Sequence, residues 1–247
     1  MFNYIILGII QGLTEFFPVS SSAHLLIVQR LLGINHGQLA ISVVLHLGTV
    51  AALLIFFFKD ILKALTDRKL IIFIIIVTLI TGIIGLSAKD FFESLFSSTK
   101  YAAVALFVTG IVLILTKRFT SGTRKDVNSK DAYILGLAQA VAIIPGISRS
   151  GSTISSLLFR GVEKETAFRL SFLVSIPAVF GAAILEAKDI SLNLGGDWQN
   201  LAIGFFVSLF SGLIALWGLK LILQKAKLYY FGFYCIIVAM ITLIFLR

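Results

Sequence analysis

QGLTEFFPVSSSAHL, residues 11–25, sets a proline, three consecutive serines and a lone carboxylate inside apolar, helix-forming surroundings. Pro18 cannot donate the backbone hydrogen bond that a continuing helix needs, and it pushes Phe17 toward extended backbone. Two half-helices are predicted, one ending before Pro18 and one opening at the serines. Gln11 and Glu15 stand four apart, hence on one face of the first half. Ser21 and His24 stand three apart, so hydroxyl and imidazole share a face of the second.

The device recurs further along. A shift of 128 positions lays Ile6-Leu7-Gly8-Ile9-Ile10-Gln11 on Ile134-Leu135-Gly136-Leu137-Ala138-Gln139, and Ser20-Ser21-Ser22-Ala23 on Ser148-Arg149-Ser150-Gly151. Six of these ten pairs are identical. The second copy breaks at Pro145-Gly146. Both interrupted stretches, Met1 to Leu32 and Ala132 to Phe159, are predicted as broken, re-entrant hairpins, because irregular backbone survives at membrane depth only inside protein.

Composition places these hairpins in a membrane. Of 247 residues, 58% are hydrophobic and 13% charged, and the mean hydropathy is +1.02. Such usage excludes an ordinary soluble globule and a disordered chain alike. Cys235 is the single cysteine and there are three histidines, too few for a CxxC or HExxH zinc site, so a metal would need oxygen ligands. The N-terminus lacks the basic region and cleavage site of a signal peptide and is expected to belong to the mature structure.

Six apolar runs have about the length that crosses hydrocarbon: Leu39 to Phe58, Leu70 to Ala88, Tyr101 to Thr116, Thr166 to Ala187, Leu201 to Leu223 and Tyr229 to Leu246. With both hairpins returning to the side they enter from, 15 of the 21 Lys and Arg fall on one side and five on the other, with Arg149 inside the second hairpin. The basic side is expected to be cytoplasmic, which places the first hairpin and both termini outside. The net charge of +9 is thereby accounted for, and no Lys/Arg-dense block interleaved with aromatics points to nucleic acid. The expected fold class is all-α: one integral membrane domain, 1–247, of two inverted-topology repeats. Each repeat holds a broken hairpin and three transmembrane helices, with repeat 1 at about 1–118, repeat 2 at about 131–247 and a basic cytoplasmic linker at 119–130.

Inverted repeats with broken helices place polar groups near the midplane where the breaks meet. Glu15 is costly in that setting unless it is paired or binds a cation. Arg149 offers planar, permanently charged donors that match phosphate oxygens. Ser148, Ser150, Ser152 and Thr153 add hydroxyls, as do Ser20 and Ser22 in the first hairpin, and Gly146 and Gly151 allow close backbone approach. Each half-helix start also directs its positive dipole end at this place. The pocket suits a phosphate or diphosphate, and the Glu15 carboxylate gives a hard cation such as Mg²⁺ or Ca²⁺ a place to bridge protein and phosphate. With a nucleophile alongside, the chemistry would be phosphoryl transfer. Weaker candidates are His46, expected to bond a neighbouring helix, His36 in a polar turn, Glu186 near a span end, and Cys235 as core packing.

At these residues the chain resembles the bacterial undecaprenyl-diphosphatases of the bacitracin-resistance type. The resemblance rests on QGLTEFFPVSSSAHL at 11–25, VVLHLGT at 43–49, LAQAVAIIPGISRSGSTIS at 137–155 and LSFLVSIPAVFGA at 170–182. It extends over nearly the whole chain and is weakest in the last fifty residues. Gln11 stands where many members have Glu, and Ser42 where many have Asp or Glu. The resemblance implies hydrolysis of undecaprenyl diphosphate to undecaprenyl phosphate and inorganic phosphate. It further implies divalent-cation dependence, action at the outer face of the plasma membrane, and tolerance to bacitracin. Glu15 would bind metal or activate the nucleophile, supported by Gln11. Ser21 would be a candidate nucleophile, with His24 as its general base or itself the nucleophile. Arg149, Ser148 and Thr153 would hold the phosphates. The expected partners are the polyprenyl diphosphate and membrane lipids, with a homodimer left open. A polyprenyl phosphate transporter or flippase is the alternative, since transporters use the same repeat and pocket.

Overall fold

The computed structural model describes residues 1–34, 38–96, 98–119, 122–189, 198–225 and 227–246. His36 and the side chain of Glu186 lie outside the described residues. The described secondary structure is helical, apart from one isolated bridge between Arg124 and Val162.

Both hairpins break where the prolines stand. Helix α1, Phe2–Phe16, ends at Phe17, whose backbone is extended (φ −62°, ψ 142°), and α2, Ser21–Leu31, opens after Ser20. This is the restriction that Pro18 imposes on the residue before it. In the second hairpin α8, Ser129–Val141, and α9, Arg149–Phe159, flank Pro145-Gly146. Gly146 has φ +101°, and a Cβ there would lie 2.1 Å from the Ala102 carbonyl oxygen. Only glycine fits this turn.

The six apolar runs are all helical. The first is α3, Gln38–Phe56, followed by α4, Phe58–Thr66, and the chain bends by 70° at Phe57. The expected run, Leu39 to Phe58, thus ends just past this bend. The other long runs are α5, Arg68–Ser87; α7, Thr99–Leu115, continued by a 3₁₀ turn Thr116–Arg118; α10, Lys164–Asp189; and α11, Trp198–Gln224. These four are long and apolar enough to cross a membrane, and the bent α3–α4 pair makes a fifth candidate. The last run, α12, Tyr229–Phe245, is apolar but has only 17 residues. A short helix not anticipated from the sequence, α6, Lys89–Phe96, precedes α7. On α5 the exposed side chains Ile72, Ile75, Leu79, Ile83 and Leu86 form one stripe at helical spacing, a face that suits hydrocarbon rather than water.

Helix α1 packs along α11, α8 along α5, α7 along α12, and α3 against α10 and α11. At the α7–α12 crossing Gly110 and Gly232 meet reciprocally: a Cβ on either would lie 2.7 or 2.6 Å from the other's carbonyl oxygen. Beneath the hairpins an aromatic cluster fills the core. Phe172 of α10 touches Phe16, Phe57 and Phe168, with centroids 5.7, 5.7 and 5.1 Å away.

The 122–128 segment is tied to the mouth of the second hairpin. Asp131, fully buried in the first turn of α8, receives Arg124 through two hydrogen bonds of 2.6 and 2.9 Å and Arg160 through one of 3.0 Å. Asn128 and Asp131 complete a reciprocal cap. Burial opposes ionisation of Asp131. Hydrogen bonds from Arg124, the Asn128 backbone and Arg160 outweigh it and hold the carboxyl at about 2, against an ordinary 3.8.

Candidate active site

Glu15 sits in the last turn of α1, while Ser21 and Arg149 are the first residues of α2 and α9. These three ends converge. Glu15 is buried, and its two carboxylate oxygens are used differently. Oε1 accepts from Arg149 Nη2, joining the two hairpins. Oε2 accepts from Ser21 Oγ at 2.6 Å and from Gln11 Nε2 at 3.1 Å, and His46 Nε2 stands 3.6 Å away. The Arg149 guanidinium lies over the Phe172 ring, 6.0 Å from its centroid.

Two buried polar atoms at this junction have no hydrogen-bond partner: Arg149 Nη1 and Gln11 Oε1. Orphaned donors and acceptors are expensive in a buried site unless a ligand uses them. The first is a cationic donor and the second a hard oxygen acceptor. Gln11 Oε1 beside the Glu15 carboxylate fits a hard cation. Among the described residues no group of three or more His, Cys, Asp or Glu is placed to hold a metal. A cation beside Glu15 and Gln11 would need further oxygens, which Mg²⁺ usually takes from substrate phosphates and water.

The predicted phosphate-binding hydroxyls separate into groups. Ser22 accepts from the Gly146 amide at 3.3 Å and Ser150 donates to the Phe17 carbonyl at 3.4 Å, so each reaches from one break to the other. Ser20 Oγ lies 3.1 Å from Ser22 Oγ. Ser148 caps α9 through the Gly151 amide at 3.1 Å and also meets Ser150 at 3.3 Å. Thr153 is fully buried, bonded to the Arg149 carbonyl at 2.7 Å and to Ser171 of α10. Ser148 and Thr153 thus hold the start of α9, and with it Arg149.

His24 departs from the expectation of a base for Ser21. Its Nδ1 meets the Ser20 carbonyl at 2.8 Å and its Nε2 meets Tyr234 Oη at 2.8 Å. Both ring nitrogens are engaged away from Ser21, because the imidazole turns toward α12. His46, rated weaker from sequence, is the histidine beside Glu15; its Nδ1 meets the Ser42 carbonyl at 2.8 Å. The contact could have been anticipated only from the block VVLHLGT, since a lone histidine on an apolar helix carries no local sign of its partner.

Ser20 takes φ 65° and ψ 98°, the one positive φ outside glycine among the described residues. Such backbone costs on the order of 1–3 kcal/mol and persists where surrounding contacts hold it.

Fold and site together define a class: a polytopic helical membrane protein whose buried carboxylate, hydroxyl and guanidinium meet between two broken hairpins. Residues 4–241 match the family model described as "Bacitracin resistance protein BacA", and the chain belongs to that family. It is 44% identical over 253 residues to the undecaprenyl-diphosphatase of Halothermothrix orenii, covering 99% of this chain and 97% of that one. It is 43% identical over 270 residues to that of Alkaliphilus metalliredigens, covering 99% and 98%. With the undecaprenyl-diphosphatase of Methanosphaera stadtmanae it shares 40% over 266 residues, covering 97% and 96%.

Proposed function

We propose that this protein hydrolyses undecaprenyl diphosphate to undecaprenyl phosphate and inorganic phosphate, and that it thereby gives bacitracin resistance. The family membership supports the reaction. The observation that carries it to this site is the Glu15 carboxylate, bonded at once to Ser21 of one hairpin and Arg149 of the other.

Ser21 Oγ is the nucleophile in this reading, because its hydroxyl already donates to Glu15. It attacks the terminal phosphorus, the bond to the undecaprenyl phosphate oxygen breaks, and the serine proton passes to Glu15. Once Glu15 has passed the serine proton on to the solvent, water attacks the phosphoserine phosphorus and gives a proton to Glu15, which returns it to Ser21 Oγ as the serine–phosphorus bond breaks and inorganic phosphate leaves. Arg149 keeps Nη2 on Glu15 and directs the free Nη1 at the phosphoryl oxygens, where positioned charge contributes most to phosphoryl transfer. Glu15 and Gln11 would hold a Mg²⁺ or Ca²⁺ ion, which when bound neutralises diphosphate charge.

The same reading places the chain in the bacterial plasma membrane as two inverted repeats, with the site opening outward. The swapped pairing of α1 with α11 and α8 with α5 supports the repeat. So does a matched pair of hydrogen bonds: Ser211 donates to the Gly8 carbonyl at 3.1 Å, and Thr81 to the Gly136 carbonyl at 3.3 Å. Gly8 and Gly136 are 128 positions apart.

The test is phosphate release from undecaprenyl diphosphate by purified protein in detergent, with and without EDTA, beside Glu15→Ala. Release that needs both the cation and Glu15 is expected. No release under any cation, from protein that still binds the lipid, would contradict the phosphatase and favour the transporter.

A further inference from the structure

In the sequence α12 is a plain apolar span, yet three of its side chains brace the first break. The Phe231 ring lies 5.3 Å from Phe17, the Cys235 thiol donates to the Pro18 carbonyl at 3.7 Å, and the Tyr234 hydroxyl meets His24 Nε2 at 2.8 Å. Positions 231, 234 and 235 share one helix face. The Tyr234 and His24 rings also stack, 5.7 Å apart and within 6° of parallel.

The chemistry of this contact fixes where the protons are. A carbonyl oxygen can only accept, so the 2.8 Å contact of His24 Nδ1 with the Ser20 carbonyl requires a proton on Nδ1. In the neutral ring Nε2 is then the acceptor, and the Tyr234 hydroxyl donates to it. The carbonyl so held belongs to Ser20, the residue at φ 65°, and the next residue is Ser21. Had Nε2 carried the proton instead, the Nδ1 lone pair would face the carbonyl lone pairs, and the Ser20 carbonyl would keep only its longer, 3.3 Å bond from the His24 backbone amide.

We propose that Tyr234 is a positioning residue for Ser21. Its hydroxyl holds His24 in the Nδ1–H tautomer, and the imidazole holds the Ser20 carbonyl in the orientation that aims Ser21 at Glu15. The assignment rests on the phosphatase reading above. Helix α7 does the corresponding work on the second break: Thr109 accepts from the Ser148 amide at 3.0 Å and donates to the Gly146 carbonyl at 2.9 Å. Since α7 and α12 interlock at Gly110 and Gly232, one helix pair holds both breaks.

The experiment is Tyr234→Phe in the full-length protein, which keeps the stacked ring and removes only the hydroxyl. Phosphate release from undecaprenyl diphosphate is measured beside wild type and Tyr230→Phe, an exposed tyrosine on the same helix. The ¹⁵N resonances of labelled histidine report the tautomer. Misplacement of a reacting group by about 1 Å costs about a hundredfold, so kcat is expected to fall about tenfold or more with KM within about twofold. The His24 Nε2 resonance is expected to move, while Tyr230→Phe matches wild type. Unchanged kcat in Tyr234→Phe overturns the assignment, as does a rise in KM alone, or a fall in kcat with the His24 resonance unmoved. A wild-type spectrum with His24 as Nε2–H overturns it whatever the variant does. A wild type without turnover overturns the phosphatase reading and this assignment together, whereas an active wild type beside an unimpaired Tyr234→Phe overturns the assignment alone.

Discussion

The two breaks use one device to different ends. Each interrupts an apolar stretch at a proline, opens a half-helix with serines, and is held by a neighbouring long helix. The first turns on Ser20, at a positive φ that serine tolerates poorly, and the second on Gly146, at one that glycine tolerates freely. Chemistry diverges at matched positions 128 apart: Ser21 corresponds to Arg149, Glu15 to Ile143 and His24 to Ser152. Gln11 and Gln139 are retained in both, but Gln11 serves Glu15 while Gln139 bonds Thr81. The chemical groups are thus divided, with a hydroxyl and the carboxylate on one break and the guanidinium on the other. A single site exists only where the breaks meet.

That comparison can be broken most severely at the meeting point. Arg149→Ala removes the positioned cation and is expected to lower kcat about 10²–10³-fold, as for loss of a preorganised charge donor; phosphate release by folded protein measures it. Near-normal turnover would detach the second break from the site. Next is the turn itself. Gly146→Ala brings a methyl against the Ala102 carbonyl at a positive φ, and a loss of about 3 kcal/mol is expected, read from thermal melting in detergent.

The clamp at the mouth of the second hairpin centres on a carboxylate, Asp131, where the position 128 residues earlier is Asn3. Asp131, held at about 2 against an ordinary 3.8, contributes stability that is complete above the ordinary value and lost as pH falls through the folded one, about 2 kcal/mol by linkage. Wild-type melting is therefore expected to drop between about pH 4 and 2 relative to Asp131→Asn, which lacks that dependence. The smallest effect belongs to the strained serine. Ser20→Gly relieves the positive φ and is expected to raise the unfolding free energy by up to about 1 kcal/mol, offset in part by the freedom that glycine gains when unfolded. A large loss instead would mean that the Ser20 hydroxyl, bonded to Ser22, outweighs the backbone.

Much of this is legible in the sequence. Pro18 and Pro145-Gly146 disrupt helices through their own covalent geometry, so the breaks show locally. Glu15 and Arg149 announce themselves because apolar surroundings penalise unpaired charge. Other features depend on residues far apart in the chain. His24 and Tyr234 are 210 positions apart, and nothing near His24 says whether its ring turns to Ser21 or to α12. The 70° bend at Phe57 involves no proline or glycine in the turn; it arises with Phe57 packed on Phe172 and Phe168, a tertiary contact. Thr153 lies in the right motif for a phosphate ligand, but its partner Ser171 comes from another helix and turns it into a support for Arg149.

In the proposed reaction Glu15 and Arg149 act as one unit across the two breaks. The direct test is a double-mutant cycle on kcat/KM for phosphate release, using Glu15→Gln, Arg149→Gln and both together. Groups that work as a unit are strongly non-additive, so the double variant is expected to be about as slow as either single one. Losses that multiply, or a single variant with near wild-type turnover, would show that the two residues act separately and contradict the account.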